Sequence, residues 1–176
     1  MTLIYIIVAL IFIVFILSSI APKNYEANRS IQINKPVEIV YTYLKHLKNQ
    51  DNWAKWNRID PEMEKKYSGE DGTVGFESYW NSQDKRVGEG KQTISHLVEN
   101  ERVDTLLEFI RPFKSKSDAY LTTEKIDANS TLVTWGFTGR MNPPMNILLL
   151  FMNMDKQIGA DFEEGLEKLK EILENG

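Results

Sequence analysis

Five candidate strands follow one another between residues 73 and 140, and no helical pattern interrupts them. The residues Glu99-Asn100 and Asp127–Asn129 are typical of short turns between neighbouring strands. Strands joined by such turns pair antiparallel, so the sequence predicts an antiparallel meander. The strands have the sequences TVGFESYW, GEGKQTISHLVEN, ERVDTLLEFIRP, KSKSDAYLTTEKI and STLVTWGFTGR, and EMEKKYSG at residues 62–69 is a candidate for one more.

One long amphipathic helix is predicted at the C-terminal end of the chain. Asn142, Pro143 and Pro144 end the last strand. A sheet with one apolar face and a helix with one apolar stripe bury both when the sheet curves around the helix. The stripe consists of Met154, Ile158, Phe162, Leu166, Leu169 and Leu173, and the opposite face carries Lys156, Glu163, Glu167 and Lys170.

Three shorter elements are predicted before the meander. Tyr25–Ile33 alternates loosely and ends in β-branched residues, which favours a strand. A helix follows Asn34, with Pro36 and Glu38 in its first turn. The segment DNWAKWN is interpreted as a short second helix, capped by Asp51 or Asn52, with Trp53 and Trp56 on one face.

The N-terminal segment Thr2–Pro22 contains no charged residue. As a helix it would span about 32 Å, close to the ~30 Å hydrocarbon core of a bilayer. A signal peptide is an alternative, but no basic residue precedes the apolar run and Pro22 follows the one plausible cleavage site. A buried core helix is a further alternative. We therefore expect a transmembrane anchor over residues 1–22. The basic residues Lys23, Arg29 and Lys35 predict that the domain after the anchor is cytoplasmic.

Composition excludes several kinds of site. The 176 residues include no cysteine, which rules out disulfides, thiolate metal sites and a cysteine nucleophile. The net charge is −4 without a basic stripe, so nothing supports nucleic-acid binding. His46 and His96 lie fifty residues apart and lack the spacing of metal ligands. No phosphate-binding glycine loop or Gly-x-Ser-x-Gly motif occurs, and we expect no metal or cofactor.

The order of these elements resembles the START/Bet v 1-like superfamily, also called SRPBCC, over residues 22 to 173. The segments that carry the resemblance are NKPVEIVYTYL, NWAKW, LVTWGFTGRM and MDKQIGADFEEGLEKLK. The chain is most similar to bacterial polyketide cyclase/dehydrase-type proteins, some of which begin with an anchor followed by PK-x-Y-x-x-x-R-S-I-x-I. The resemblance implies an α+β helix-grip fold in which residues 23–176 form a ligand-binding domain. It also implies an apolar cavity between the sheet and the last helix.

Bulky residues are candidates for lining such a cavity, although they are equally able to fill it. Arg111 or Arg140 is a candidate to point inward and meet an anionic headgroup or carboxylate. We expect a membrane-anchored domain that binds a small hydrophobic molecule or lipid without obvious catalysis. The alternatives are a cyclase-type enzyme and a protein-interaction module with a filled core. The candidate ligand-binding residues are Trp53, Trp56, Phe76, Trp80, Phe109, Trp135, Phe137, Arg140 and Phe162.

The segment PPMNILLLFM, residues 143–152, is rich in apolar residues and lies just before the last helix. A lid over the cavity and a segment that dips into the membrane beside the anchor are two functional interpretations. We expect instead a buried lead-in to the last helix.

Overall fold

Seven antiparallel strands form one sheet in the order β1-β7-β6-β5-β4-β3-β2. The computed structural model describes residues 1–176. Each strand from β2 to β6 pairs with the next strand along the chain, which confirms the predicted meander. Strand β1 pairs with β7. The strands are β1 Asn24–Ile33, β2 Glu64–Ser68, β3 Glu77–Asn81, β4 Glu89–Val98, β5 Arg102–Arg111, β6 Ser115–Asp127 and β7 Ser130–Arg140.

Five helices and two 3-10 helices complete the chain. The long C-terminal helix packs against β1 and lies over the concave face of the sheet. This arrangement is the helix-grip fold expected from the sequence. The helices are α1 Thr2–Ile20, α2 Val37–Lys45, α3 Gln50–Trp53, α4 Lys55–Ile59 and α5 Met154–Asn175, and the 3-10 helices are Leu47–Asn49 and Met145–Leu150.

The apolar stripe of α5 forms the centre of the core. Phe162, Leu166, Leu169 and Leu173 are buried, as predicted, whereas Met154 and Ile158 are only partly buried. Gly165 allows the helix to approach the sheet, because a Cβ atom there would lie 2.9 Å from the Trp135 ring. Burial of these side chains against the sheet is the main stabilising contribution of the helix.

The two tryptophans of DNWAKWN do not share one helix. Ala54 has an extended backbone, with φ of −67° and ψ of 129°, and it separates α3 from α4. The prediction that Trp53 and Trp56 lie on one face of a single helix is therefore wrong. Neither Asp51 nor Asn52 caps the helix, since α3 already begins at Gln50.

The strand predicted to begin near residue 73 starts later. Gly72 and Gly75 adopt positive φ angles, which interrupt the extended backbone, and β3 begins only at Glu77. Phe76 therefore lies before the strand. It packs with Leu47 and Ile94 in a small cluster apart from the main core.

The segment 143–152 is not a buried lead-in to α5, contrary to the sequence-based expectation. The 3-10 helix Met145–Leu150 buries only Asn146, while most of its apolar side chains are exposed. The reason is that the segment turns toward α1 rather than toward the core. The Asn146 side-chain amide donates hydrogen bonds to the carbonyl oxygens of Ser18 and Ala21, at 2.8 and 3.1 Å.

Helix α1 extends away from the rest of the fold. Ser18 is the only residue of this helix that is buried. The helix is long and apolar enough to cross a membrane.

Candidate ligand-binding cavity

A cavity of about 260 Å³ lies between the concave face of the sheet and α5. A void that holds a single water needs only about 10–15 Å³, so this space is much larger than a packing defect. Apolar residues account for 12 of the 19 residues that line it. The aromatic members of this lining are Trp56, Trp80, Phe109, Trp135, Phe137 and Phe162.

One wall of the cavity is built from three aromatic rings on three different elements. Trp135 of β7 stacks on Phe162 of α5, with ring centroids 4.1 Å apart. Trp56 of α4 meets both rings edge-on, each at 5.9 Å. Edge-to-face and stacked aromatic pairs stabilise the fold by more than the burial of their apolar area alone would. This wall is therefore part of the core as well as part of the cavity surface.

A second aromatic pair comes from β3 and β5, which lie on either side of β4. Trp80 of β3 and Phe109 of β5 meet at nearly right angles, with centroids 6.1 Å apart. The intervening strand carries Gly90, where a Cβ atom would lie 2.6 Å from the Trp80 ring. The indole therefore depends on this glycine for its position over β4. The Trp80 Nε1 donates to the carbonyl oxygen of Val87 at 3.4 Å.

Polar side chains occupy the part of the lining near α3 and β2. The Asp51 carboxylate accepts hydrogen bonds from Asn57 at 3.1 Å and from the Tyr67 hydroxyl at 2.6 Å, and it pairs with Lys65 at 2.9 Å. Burial and the bond to Asp51 raise the pKa of Tyr67 well above its usual value. Gln92 also lines the cavity, and its side-chain amide donates to the Thr105 hydroxyl at 3.0 Å.

The two cationic residues in the lining, Lys65 and Arg86, both have carboxylate partners. Arg86 lies in the loop between β3 and β4, where its guanidinium donates to both oxygens of Asp84, at 3.0 and 2.6 Å. The Asp84 carboxylate also accepts the backbone N–H of Arg86 at 2.8 Å. These bonds to Arg86 lower the pKa of Asp84 to about 2. No cation in the lining is therefore left without a counter-ion.

Three of the nine predicted site residues do not line the cavity. Trp53 is fully buried in the core, edge-on to Trp135 at 4.8 Å, because extended Ala54 turns it away from Trp56. Phe76 belongs to the separate cluster described above. Arg140 is exposed, because it lies on the same outward face of β7 as Thr138.

Arg111 does not enter the cavity either. It is exposed and pairs with Glu89 at 2.7 Å, and it also contacts Asn81. The two histidines are likewise outside the lining: His46 lies near Asp71 and His96 near Asp104, at 3.6 and 3.2 Å. The structure contains no cluster of three or more His, Asp or Glu side chains arranged to hold a metal ion.

Sequence reasoning missed most of the polar lining. The sequence pattern does indicate Gln92, because it lies two residues from both Gly90 and Ile94 and therefore on the same face of β4 as these buried residues. Arg86 and Lys65 had no such signal. The first lies in a loop and the second lies on the short edge strand β2, so only the folded chain brings them to the cavity.

These features define a helix-grip domain with a largely apolar cavity. The sequence model of the family described as polyketide cyclase / dehydrase and lipid transport matches residues 25–174. The chain therefore belongs to this family. No curated protein sequence is similar enough to match.

Solved structures with the same fold come from distant proteins. A solution structure from Thermobifida fusca is 19% identical with a TM-score of 0.61, covering 84% of this chain and 92% of that one. The Aha1 dimer from Colwellia psychrerythraea is 17% identical with a TM-score of 0.57, covering 85% and 96%. Truncated norcoclaurine synthase from Thalictrum flavum is 7% identical with a TM-score of 0.62, covering 88% and 96%. At these identities the similarity shows the fold alone.

Proposed function

We propose that residues 23–176 bind a small hydrophobic or lipid-like molecule in the cavity between the sheet and α5. The observation that carries this proposal is the cavity of about 260 Å³, in which 12 of 19 lining residues are apolar. Ligand sites are commonly apolar clefts with a few polar groups that fix orientation. The family description, which includes lipid transport, supports the same conclusion.

The ligand's polar group is expected to be uncharged. Lys65 and Arg86, the cations in the lining, already pair with Asp51 and Asp84. An anionic ligand would have to displace Asp51 from Lys65 or lie near that carboxylate, and either costs free energy because both side chains are largely shielded from water. Arg86 is 71% exposed, so water weakens its attraction for an anion in the cavity. The side chains of Gln92, Ser78 and Asn57 suit a hydroxyl, ketone or amide instead.

Helix α1 is proposed to anchor the domain in a membrane, so that residues 1–22 form a transmembrane segment. Its length, its apolar composition and its exposure support this role. The basic residues after the helix support a cytoplasmic domain. This arrangement would keep the cavity beside a reservoir of apolar molecules.

A cyclase-type enzyme is the second candidate function. The observation in its favour is that the Asp51 carboxylate and the Lys65 amine both line the cavity, where they are able to transfer protons to a bound ligand. Tyr67 lies outside the lining and contributes only by donating a hydrogen bond to Asp51. An enzyme would lose turnover in Asp51→Asn while retaining ligand. The interaction module with a filled core is disfavoured, because it requires that no cavity be present.

Mass spectrometry of the purified protein tests the binding proposal. The protein is extracted into detergent, and bound compounds are identified under native conditions and after solvent extraction. Ala119→Leu adds volume at a buried lining position of β6, and Thr122→Leu makes a similar addition on the opposite face of the same strand. We expect a neutral apolar compound with the wild type and Thr122→Leu, and much less with Ala119→Leu. Equal recovery from both variants would show that the compound binds elsewhere.

A further inference from the structure

Helix α1 and the first strand are joined by a very short connection. Only Ala21, Pro22 and Lys23 lie between the end of α1 and the start of β1. Three residues span at most about 10–11 Å. If α1 crosses a membrane, the end of the domain that carries the start of β1 must therefore lie close to the bilayer surface.

A side-chain contact fixes this junction further. Asn146 is fully buried and donates to the carbonyl oxygens of Ser18 and Ala21. The last carbonyl groups of a helix have no partner within the helix. Asn146 supplies a donor for the last turn of α1, and it thereby holds the 3-10 helix Met145–Leu150 at the level where α1 ends.

Apolar side chains are exposed at the same end of the domain. The strand register places the start of β1 beside the end of β7, since Asn24 pairs with Arg140, and it places the loop between β5 and β6 at this end as well. Phe113 in that loop and Phe151 are 74% and 79% exposed. We call this set the docking end: Phe113, Met145, Leu148, Leu150, Phe151 and Met152.

Basic residues surround the docking end. Lys23, Lys114, Arg140 and Lys156 are exposed, and none of them forms an ion pair. The chain as a whole carries a net charge of −4, so these cations oppose its overall charge. Apolar groups flanked by Lys and Arg are the pattern that inserts into the boundary between headgroups and acyl chains.

We propose that the docking end inserts into the membrane leaflet from which α1 emerges, so that the domain is held at the bilayer by two contacts. This inference rests on the proposed anchoring role of α1. The loop between β3 and β4, with the cavity residues Arg86 and Val87, lies at the same end of the sheet. Docking would therefore orient this part of the cavity lining toward the lipid.

Site-specific labelling tests the inference, and the chain contains no native cysteine to interfere. The full-length protein is made as three single variants, Phe151→Cys, Phe12→Cys and Ile126→Cys, each labelled with the fluorophore NBD. Phe12 reports on α1, and Ile126 is an exposed apolar residue at the opposite end of β6. Each protein is reconstituted into vesicles of phosphatidylcholine and phosphatidylglycerol, with and without doxyl-labelled lipid.

We expect doxyl lipid to quench the labels at residues 151 and 12 but not the label at residue 126. A quenched label at 12 beside an unquenched label at 151 would overturn the docking proposal and leave the anchor intact. Absence of quenching at both 12 and 151 would overturn the anchor, and docking with it. If a protein partner covered the docking end instead of lipid, the label at 151 would stay unquenched in these vesicles, which contain no other protein, and this result also overturns the proposal.

Discussion

The indole of Trp135 stacks on the ring of Phe162, with centroids 4.1 Å apart and an angle of 18° between the ring planes. This pair joins the sheet to α5, and both rings also line the cavity. The fold and the candidate site therefore share the same side chains. Substitutions at these positions are expected to change stability and ligand binding together, whereas substitutions elsewhere on the lining separate the two effects.

Replacing Phe162 by Ala is expected to destabilise the domain by about 3–5 kcal/mol, because the ring is almost fully buried. The matched control is Glu167→Ala, which removes an exposed side chain from the outer face of α5 and should change stability by about 0.5 kcal/mol or less. Lys170, on the same polar face, is a poorer control, because its amine donates to the carbonyl oxygen of Gln32 at 2.8 Å. Denaturant unfolding measures both variants. Equal losses would contradict the packing described for α5.

The two tryptophans of the segment DNWAKWN, Trp53 and Trp56, are expected to respond differently to ligand. Trp56 lines the cavity, whereas Trp53 lies in the core behind it. A neutral nitroxide-bearing alcohol that enters the cavity should quench the tryptophan emission of the wild type. Trp80 and Trp135 also line the cavity, so the quenched fraction should fall in Trp56→Phe, which removes one of three lining indoles. It should rise in Trp53→Phe, which removes the one indole outside the lining. A loss of quenching that occurs only in Trp53→Phe would mean that the ligand binds on the other side of this tryptophan pair.

A methyl group at Gly90 is expected to disturb the cavity wall. The added Cβ would lie 2.6 Å from the Trp80 ring and 2.7 Å from the Glu108 carbonyl oxygen, so Gly90→Ala must move one of them. We expect a loss of about 1–3 kcal/mol, the usual cost of overpacking, together with a changed near-UV circular dichroism spectrum. Ser95→Ala on the same strand is exposed and should leave both unchanged. An unaltered spectrum in Gly90→Ala would argue against this position for the Trp80 indole.

The ion pair between Asp84 and Arg86 predicts that the Asp84 carboxyl titrates at an unusually low pH. The pKa of Asp84 in the folded protein is about 2, below its ordinary value of 3.8. The pair therefore contributes fully to the stability of the fold at pH values above 3.8. That contribution is lost as the pH falls through about 2. NMR of the Asp84 carboxyl carbon should show a midpoint near 2, and in Arg86→Gln the midpoint should rise toward 3.8. An ordinary midpoint in the wild type would mean that Arg86 is free to bind an anionic ligand.

The sequence predicted those parts of the fold whose pattern is periodic. Val133, Trp135 and Phe137 alternate along β7 and face inward, and Phe162 and Leu166 follow the helical stripe of α5. These positions are set by local geometry, because each strand or helix has only one apolar face to bury. The same regularity explains why most of the predicted aromatic lining residues lie around the cavity.

Positions that depend on a single backbone conformation or on a distant contact were not predictable. The extended backbone of Ala54 separates the two tryptophans, and no residue of DNWAKWN predicts this conformation. The apolar composition of the segment 143–152 predicts burial, but its position depends on hydrogen bonds from Asn146 to Ser18 and Ala21, 125 residues or more away. Such contacts are properties of the assembled chain.

Binding of a neutral apolar ligand in the cavity is tested by a comparative titration. Decanol and decanoate, which differ in charge but share a ten-carbon chain, are titrated at neutral pH in competition with an apolar fluorescent probe. The proteins are the wild type, Ala119→Leu and Thr122→Leu. We predict saturable displacement by decanol, weaker displacement by decanoate, and loss of both in Ala119→Leu but not in Thr122→Leu. Tighter binding of decanoate would show that the site prefers an anion, and equal binding by both leucine variants would show that the ligand binds outside this cavity.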